Sequence, residues 1–336
     1  MTQTTQWISE HDVVSVLDLA DALEALRAGF TEEGEGTAAA LDKTLLGYGD
    51  HATLHALGAA FTGGGYAGTK VWTHTPGGAD PVLVMFDVRT GAVAAVIEAF
   101  ALGQLRTSGT AALATDLLAR PEAAVLAVVG TGKQALPQVA AVAQVRALTE
   151  VRAFSPDRAH REAFARRVTA ELGLACRAVA SAEEAVAGAD VVTLVTRATE
   201  PVLTEAMVEP GVHVNAVGAI DLRRRELEPA ILGRCAAVVT DSLPQVRALS
   251  GELRTFYGDD PSAWEAVRTL GDVAARGAGV RGPEDVTVFK AMGSGIEDVA
   301  LGMAVLERLA GRQASVPPVE RHGRAAPALR PPSRAQ

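Results

Sequence analysis

Residues 102–135 read LGQLRTSGTAALATDLLARPEAAVLAVVGTGKQA. From Leu105-Arg106-Thr107-Ser108 a helix of small residues is expected to run to about Leu118, with Pro121 and Glu122 breaking it. Val125–Val129 is then an uninterrupted apolar run, the pattern of a strand covered on both faces. It leads into Gly130-Thr131-Gly132-Lys133-Gln134-Ala135, which fits G-x-G-x-x-G/A with Ala135 in the third small position. There the first glycine makes a tight turn, the second lets a pyrophosphate approach the backbone, and the third small residue lets the helix close on the strand. Phosphates then meet free N–H groups at the start of a helix, here the apolar segment 135–148. Gly130, Thr131, Gly132, Lys133 and Gln134 are therefore candidate dinucleotide contacts. A Walker-type loop is excluded, because Ala127 holds its first glycine position and Gln134 stands where Ser or Thr would reach magnesium.

Downstream, strands and helices alternate. Strands are expected at 151–154, 175–179, 190–195, 212–217 and 236–240, with one more at 286–289. A helix fills 157–172, and Ser181-Ala182-Glu183-Glu184 is a capping box opening a short one. This alternation predicts an α/β fold with a Rossmann-type doubly wound parallel sheet. Upstream the texture differs: short runs at 56–61, 68–73, 82–87 and 93–97, with Arg89-Thr90-Gly91 as a hairpin turn, predict a separate antiparallel or mixed sheet. A helix over 16–30, ended by Gly34 and Gly36, precedes it, and a final helix over 296–309 is expected to pack back on this part. The expected division is 1–115 with 296–312 as a substrate-binding and dimerisation domain, 116–295 as the dinucleotide domain, and 313–336 as a disordered tail.

The 336 residues are 48% hydrophobic but only 4% aromatic, so the core is built from Ala, Val and Leu. A net charge of −9 with no basic stripe argues against a nucleic-acid partner. No stretch approaches the roughly 20 apolar residues that span a bilayer, and the N-terminus lacks a charged-then-apolar leader, so a cytoplasmic protein with no membrane partner is expected. Cys176 and Cys235 read as small buried residues rather than a disulfide or metal ligands. His51 and His55 are four apart, but Ala52 stands where a zinc motif needs glutamate, and no third ligand is evident; no metal is expected.

After the second strand of a dinucleotide fold, an acid on the ribose marks NAD. Here the segment is Phe154-Ser155-Pro156-Asp157-Arg158. Ser155 can hydrogen-bond a 2′-phosphate and Arg158 can neutralise it, so NADP(H) is preferred, while Asp157 keeps NAD(H) possible. Three cations stand out earlier: Lys43, Lys70 and Arg106. Arg106 heads a helix otherwise fit for burial, and a buried guanidinium needs an anionic partner, naturally a carboxylate. His74, shortly after Lys70, is a further pocket candidate.

The chain resembles the ornithine cyclodeaminase / mu-crystallin family over nearly its whole length. The likeness rests on Gly68-Thr69-Lys70-Val71, Leu105-Arg106-Thr107, the 130–135 motif, Asn215-Ala216-Val217-Gly218-Ala219, Arg225-Glu226-Leu227, and Val288-Phe289-Lys290-Ala291-Met292-Gly293 ahead of Glu297-Asp298. It implies a Rossmann domain plus an α/β domain that forms a homodimer, and activities passing through an imine next to a carboxylate: ornithine cyclodeamination, alanine dehydrogenation, ketimine reduction. It implies that Lys70 and Arg106 hold the substrate carboxylate, with Lys43 near the place of a family arginine. Thr196, Val217, Gly218 and Gly293 join the candidate cofactor set. Two departures matter. Cyclodeaminases carry an aspartate two residues past the glycine at 218; Ile220 is there, and the acid comes next, as catalytic candidate Asp221. On an extended segment that shift turns a side chain to the other face, so Asp221 needs a rearranged loop; otherwise it caps a helix over 226–232. A Met-Pro pair of the family is replaced by Leu57-Gly58. The expectation is an NAD(P)H-dependent imine (ketimine) reductase or amino-acid dehydrogenase acting on a small α-imino or α-keto acid. The alternatives are an ornithine or lysine cyclodeaminase, and a non-catalytic ligand binder like mu-crystallin.

Overall fold

The computed structural model describes residues 4–279, 282–312, 315–316 and 319–320. Its first sheet takes β1 (Thr4–Ile8), β2 (Ala38–Tyr48), β3 (Ala52–Phe61), β4 (Tyr66–His74), β5 (Val82–Asp87) and β6 (Val93–Glu98). The second takes β7 (Val125–Val129), β8 (Glu150–Phe154), β9 (Cys176–Ala178), β10 (Val191–Leu194), β11 (His213–Ala216), β12 (Cys235–Thr240), β13 (Val267–Thr269) and β14 (Val286–Lys290). A last strand, β15 (Val319–Glu320), returns to the first sheet.

The second sheet is parallel throughout, in the order β13-β12-β14-β11-β10-β7-β8-β9. Every residue of β10, β11 and β14 is buried, as strands covered on both faces must be. The chain winds outward from β7 in both directions, so β7 and β10 flank the switch point where α/β sheets bind ligands beyond the carboxyl ends of their strands. The first sheet has the order β15-β1-β6-β5-β4-β3-β2 and is mixed: β1 runs parallel to β6, and β2 to β6 form an antiparallel meander. Strand β2 went unread because only Ala38 in it is buried; an edge strand with both faces toward solvent has no alternation to detect.

The helices are α1 (Glu10–Val16), α2 (Leu19–Glu35), α3 (Phe100–Leu118), α4 (Ala135–Val145), α5 (Arg158–Leu172), α6 (Ala182–Val186), α7 (Leu243–Leu249), α8 (Gly251–Tyr257), α9 (Leu270–Arg276) and α10 (Gly295–Leu309). The helix expected over 16–30 is α2, which begins three residues later because Asp18 makes a capping box with Asp21; Val16 instead ends the separate helix α1. Gly36 ends it in the left-handed region, whereas Gly34 lies inside it. Helix α3 begins earlier than expected, at Phe100, where Glu10 accepts the first free N–H groups, of Phe100 and Ala101. Its residues from Ser108 to Thr115 are all buried, and only side chains this small let it lie close to α4 and α2 at once. Helix α10 packs on β3, β4 and α2. One apolar cluster runs from Leu26 and Phe61 through Ile296 to Phe289 and Val239, so the two sheets share a core.

The disordered tail needs correction where it is described. Ser315 hydrogen-bonds Asp12 through its N–H and its hydroxyl, at 2.9 and 2.7 Å, and β15 pairs with Thr4 and Thr5. The rest of 313–336 lies outside the described residues.

Candidate active site

Because the second sheet is parallel, its loops all leave from one edge. The Gly130–Gln134 loop follows β7, Ser155 follows β8, Thr196 lies just past β10, and Val217 and Gly218 follow β11. Asp241 follows β12 and Gly293 lies just past β14. Gly130 adopts φ +104°, and a Cβ there would lie 2.5 Å from the Val195 carbonyl oxygen. At Gly132 a Cβ would meet nothing within 4 Å, so the backbone is open to an approaching group. Helix α4 begins three residues later with no acid in its first turn. A tight turn, an open second glycine and a helix start free of negative charge suit a pyrophosphate. Thr131 donates to Ser155 across the crevice at 2.9 Å, and Gln134 sits at the N-cap of α4 with a buried side-chain oxygen unpartnered among the described residues. Lys133 is exposed.

Beside Ser155, Asp157 caps α5 by accepting from the His160 N–H at 2.8 Å. Its carboxylate therefore serves the helix. Arg158 is exposed and paired with Glu162 at 2.7 Å. Arg161, which the sequence did not single out, donates to the carbonyls of Ser155 and Pro156 at 3.0 and 3.1 Å.

The three cations are brought together. Lys70 on β4 is 3% exposed and donates to Asp298 at 2.5 Å, with Trp72 beside it. Arg106 on α3 donates to Glu297 at 2.9 Å, and its Nη1 lies 2.8 Å from where a Cβ of Gly293 would be. Lys43 stands on β2 where the register with β3 shifts between Leu41 and Thr44, half-buried. Burial, then the charges of Arg106 and Lys70, push its ammonium down to about 8. Burial also lowers Lys70, with Asp298 opposing. Thus the cluster lies at the carboxyl edge of the parallel sheet, tied there by Gly293 and by Gln138 of α4, which donates to the Thr107 carbonyl at 3.3 Å.

Reading the sequence gave no role to the acids that face these cations. Glu297 and Asp298 stand 1% exposed at the start of α10. Burial pushes Glu297 up to about 8, with Arg106 opposing and Asp241 reinforcing. Asp241 accepts from the N–H groups of Met292 and Gly293 at 2.8 Å, and burial raises its carboxyl too. Glu33 of α2 is raised to about 7 by burial and by Asp241. The signal was available: two adjacent acids opening an otherwise apolar helix pose the same question as Arg106 on α3.

Asp221 is put to local use. Its carboxylate accepts from the Arg223 N–H at 2.9 Å and pairs with Arg224 at 3.3 Å. The helix it was to cap is a 3-10 turn that starts only at Pro229. Glu226, expected inside that helix, is fully buried and accepts from the N–H groups of Thr196 and Gly218 at 2.6 Å and of Ala219 at 2.9 Å. Val217 extends the β11 ladder, its N–H donating to Leu194 at 2.9 Å. His74 is exposed at the end of β4.

With this geometry in hand the likenesses are specific. The model of the ornithine cyclodeaminase/mu-crystallin family matches residues 3–313. Ketimine reductase mu-crystallin of Mus musculus is 32% identical over 243 residues, 72% of this chain and 72% of its own length. An archaeal alanine dehydrogenase dimer with bound NAD superposes with a TM-score of 0.84 at 28% identity, covering 92% of this chain and 97% of that one. The iminosuccinate reductase of Paracoccus denitrificans in complex with NAD+ gives a TM-score of 0.84 at 26% identity, covering 92% and 98%. A family match spanning almost all the described residues, with that identity to a curated relative, means that the chain belongs to the ornithine cyclodeaminase/mu-crystallin family.

Proposed function

We propose that this chain is an NAD(P)H-dependent imine (ketimine) reductase, running in reverse as an amino-acid dehydrogenase, on a small α-imino or α-keto acid. The observation that carries the proposal is the convergence of Lys43, Lys70 and Arg106 at the same sheet edge as the open glycine loop. The Gly130–Gln134 loop and the start of α4 would hold the pyrophosphate, with Thr196, Val217, Gly218 and Gly293 lining the nicotinamide end. Bound there, the nicotinamide supplies hydride to the C=N carbon. Arg106 and Lys70 grip the carboxylate and so fix which face of that carbon is presented. Lys43 adds a third positive charge, and Lys70 and Lys43, both pushed toward neutrality, are the groups suited to give the imine nitrogen a proton. Asp221 stays outside this scheme.

The finer readings follow from the same residues. NADPH is preferred over NADH, because Ser155 follows β8 where an acid would otherwise meet the ribose, Asp157 is engaged by α5, and Arg158 and Arg161 stand beside it. Residues 1–115 with 296–312 form the substrate and dimerisation domain and 116–295 the dinucleotide domain. The chain assembles as a homodimer through the β2–β3 edge, where Leu41, Leu45, Leu46, Tyr48 and Leu54 are exposed together.

The test is a panel of cyclic imines, and of α-keto acids with amines, followed by loss of reduced-cofactor absorbance with NADPH and with NADH. Turnover of an α-imino acid with higher kcat/KM for NADPH is the expected result. Ammonia release from ornithine without net cofactor consumption would make it a cyclodeaminase instead, and binding without turnover a ligand carrier.

A further inference from the structure

Strands β10 and β11 are neighbours, and where their ladder ends the next backbone N–H groups lose their partners. Thr196 and Gly218 are half-buried and Ala219 is buried, and their N–H groups turn inward to the same acceptor. One side chain serves them all: Oε1 of Glu226 takes the Thr196 N–H, and Oε2 takes those of Gly218 and Ala219. Glu226 is itself anchored, since its N–H donates to Glu252 at 2.8 Å and Glu252 pairs with Lys290 at 3.0 Å, all three side chains fully buried. The two loops are so close that a Cβ at Gly218 would lie 2.1 Å from the Thr196 carbonyl oxygen.

We propose that Glu226 is the positioning residue for the nicotinamide half of the dinucleotide, a single carboxylate that locks the loop after β10 to the loop after β11. This rests on the cofactor placement proposed above. Only a carboxylate fits the task. Glutamine has one acceptor oxygen, and its amide would turn a donor toward either Thr196 or the Gly218-Ala219 pair. Whichever loop loses its acceptor is left with a donor turned toward an oxygen that is no longer there, and so is free to part from the other. Lys290 and Glu252 keep the Glu226 backbone from following a loosened loop.

The test compares wild type with Glu226→Gln by calorimetry, using NADPH, NADH, ADP-ribose and its 2′-phosphate. The expected result is about tenfold weaker binding of both whole dinucleotides, with the fragments, which lack the nicotinamide and lie on the β7–β8 side, changed less than twofold. Fragments weakened in step with the dinucleotides would mean general loosening and overturn the proposal, as would unchanged dinucleotide binding. Amide exchange of ligand-free protein gives an independent reading: peptides holding Thr196 and Gly218 should exchange faster in the variant, while Val305→Ala, a distant core deletion, should leave them as they are. If wild type binds no dinucleotide, the cofactor reading falls; the exchange result then decides the lock by itself, and unaltered exchange at both loops overturns it. Should Glu226→Gln fail to fold, Glu252→Gln, whose single amide oxygen can serve the Glu226 N–H or Lys290 but not both, is expected to show the same split between dinucleotide and fragment, and its absence overturns the proposal.

Discussion

At Arg106 two demands meet. The guanidinium donates to Glu297, and in the proposed reaction it also grips a substrate. Removing it should therefore affect binding and orientation together. Arg106→Ala is expected to raise KM and lower kcat, with kcat/KM down about a hundredfold or more; steady-state kinetics on the best imine reads this, and unchanged kcat/KM would take Arg106 out of the site. The acid opposite makes stability depend on pH. Folded Glu297 holds its proton up to about pH 8, against 4.5 for the ordinary group. Across that window the folded chain binds more protons than the unfolded one, so the contribution is complete below 4.5 and lost as pH rises to 8. Glu33, raised to about 7, acts in the same sense. Lys43, lowered from 10.5 to about 8, acts oppositely, and only above 8. Thermal melts from pH 5 to 8 should show Tm falling more in wild type than in Glu297→Gln; parallel curves would refute the assignment.

At the scale of elements, α2 and α9 decide how the two sheets meet. Gly34 reads in the sequence as a helix terminator, but it is the point of contact: a Cβ there would lie 2.1 Å from the Gly271 carbonyl oxygen and 2.8 Å from Ala275. Helix propensity by itself makes Gly→Ala favourable by about 1 kcal/mol. Overpacking should reverse that sign, so Gly34→Ala is expected to destabilise by about 1–3 kcal/mol in urea unfolding; a stabilised variant would mean the helices part easily. This residue shows where the sequence was legible and where it was not. Strands β7 and β10 announce themselves as apolar runs because the parallel sheet buries both their faces, whereas β11 and β14, equally buried, carry His213, Asn215, Thr287 and Lys290 inside. The 130–135 turn is legible because its glycines answer to local geometry. Gly34 and the acids at 297 and 298 answer to partners more than 180 residues away, Gly271, Arg106 and Lys70, and no local pattern encodes such a partner. The cations Lys43, Lys70 and Arg106 were found as odd charges, but their convergence needed the fold.

For the whole molecule, the β2–β3 edge is the surface with a consequence. Leu45 and Leu46, 60% and 61% exposed, sit on adjacent positions of a strand that points them to opposite faces, so both sides of the edge are apolar. Leu46→Lys is expected to shift the chain from dimer to monomer in light scattering, and a wild type that is monomeric at micromolar concentration would refute the proposed assembly. Another property of the whole follows from where β14 lies. It is the last strand of its sheet to be made, yet it sits between β11 and β12, and α10 behind it brings Asp298 and Glu297, the acids that face Lys70 and Arg106. While the chain is still on the ribosome, β12 and β13 can pair only with each other and not with the rest of the sheet, and Lys70 and Arg106 wait without the acids that face them. A nascent chain halted at residue 284 should thus be digested by protease in both lobes, and one carried through residue 312 should become resistant in both together.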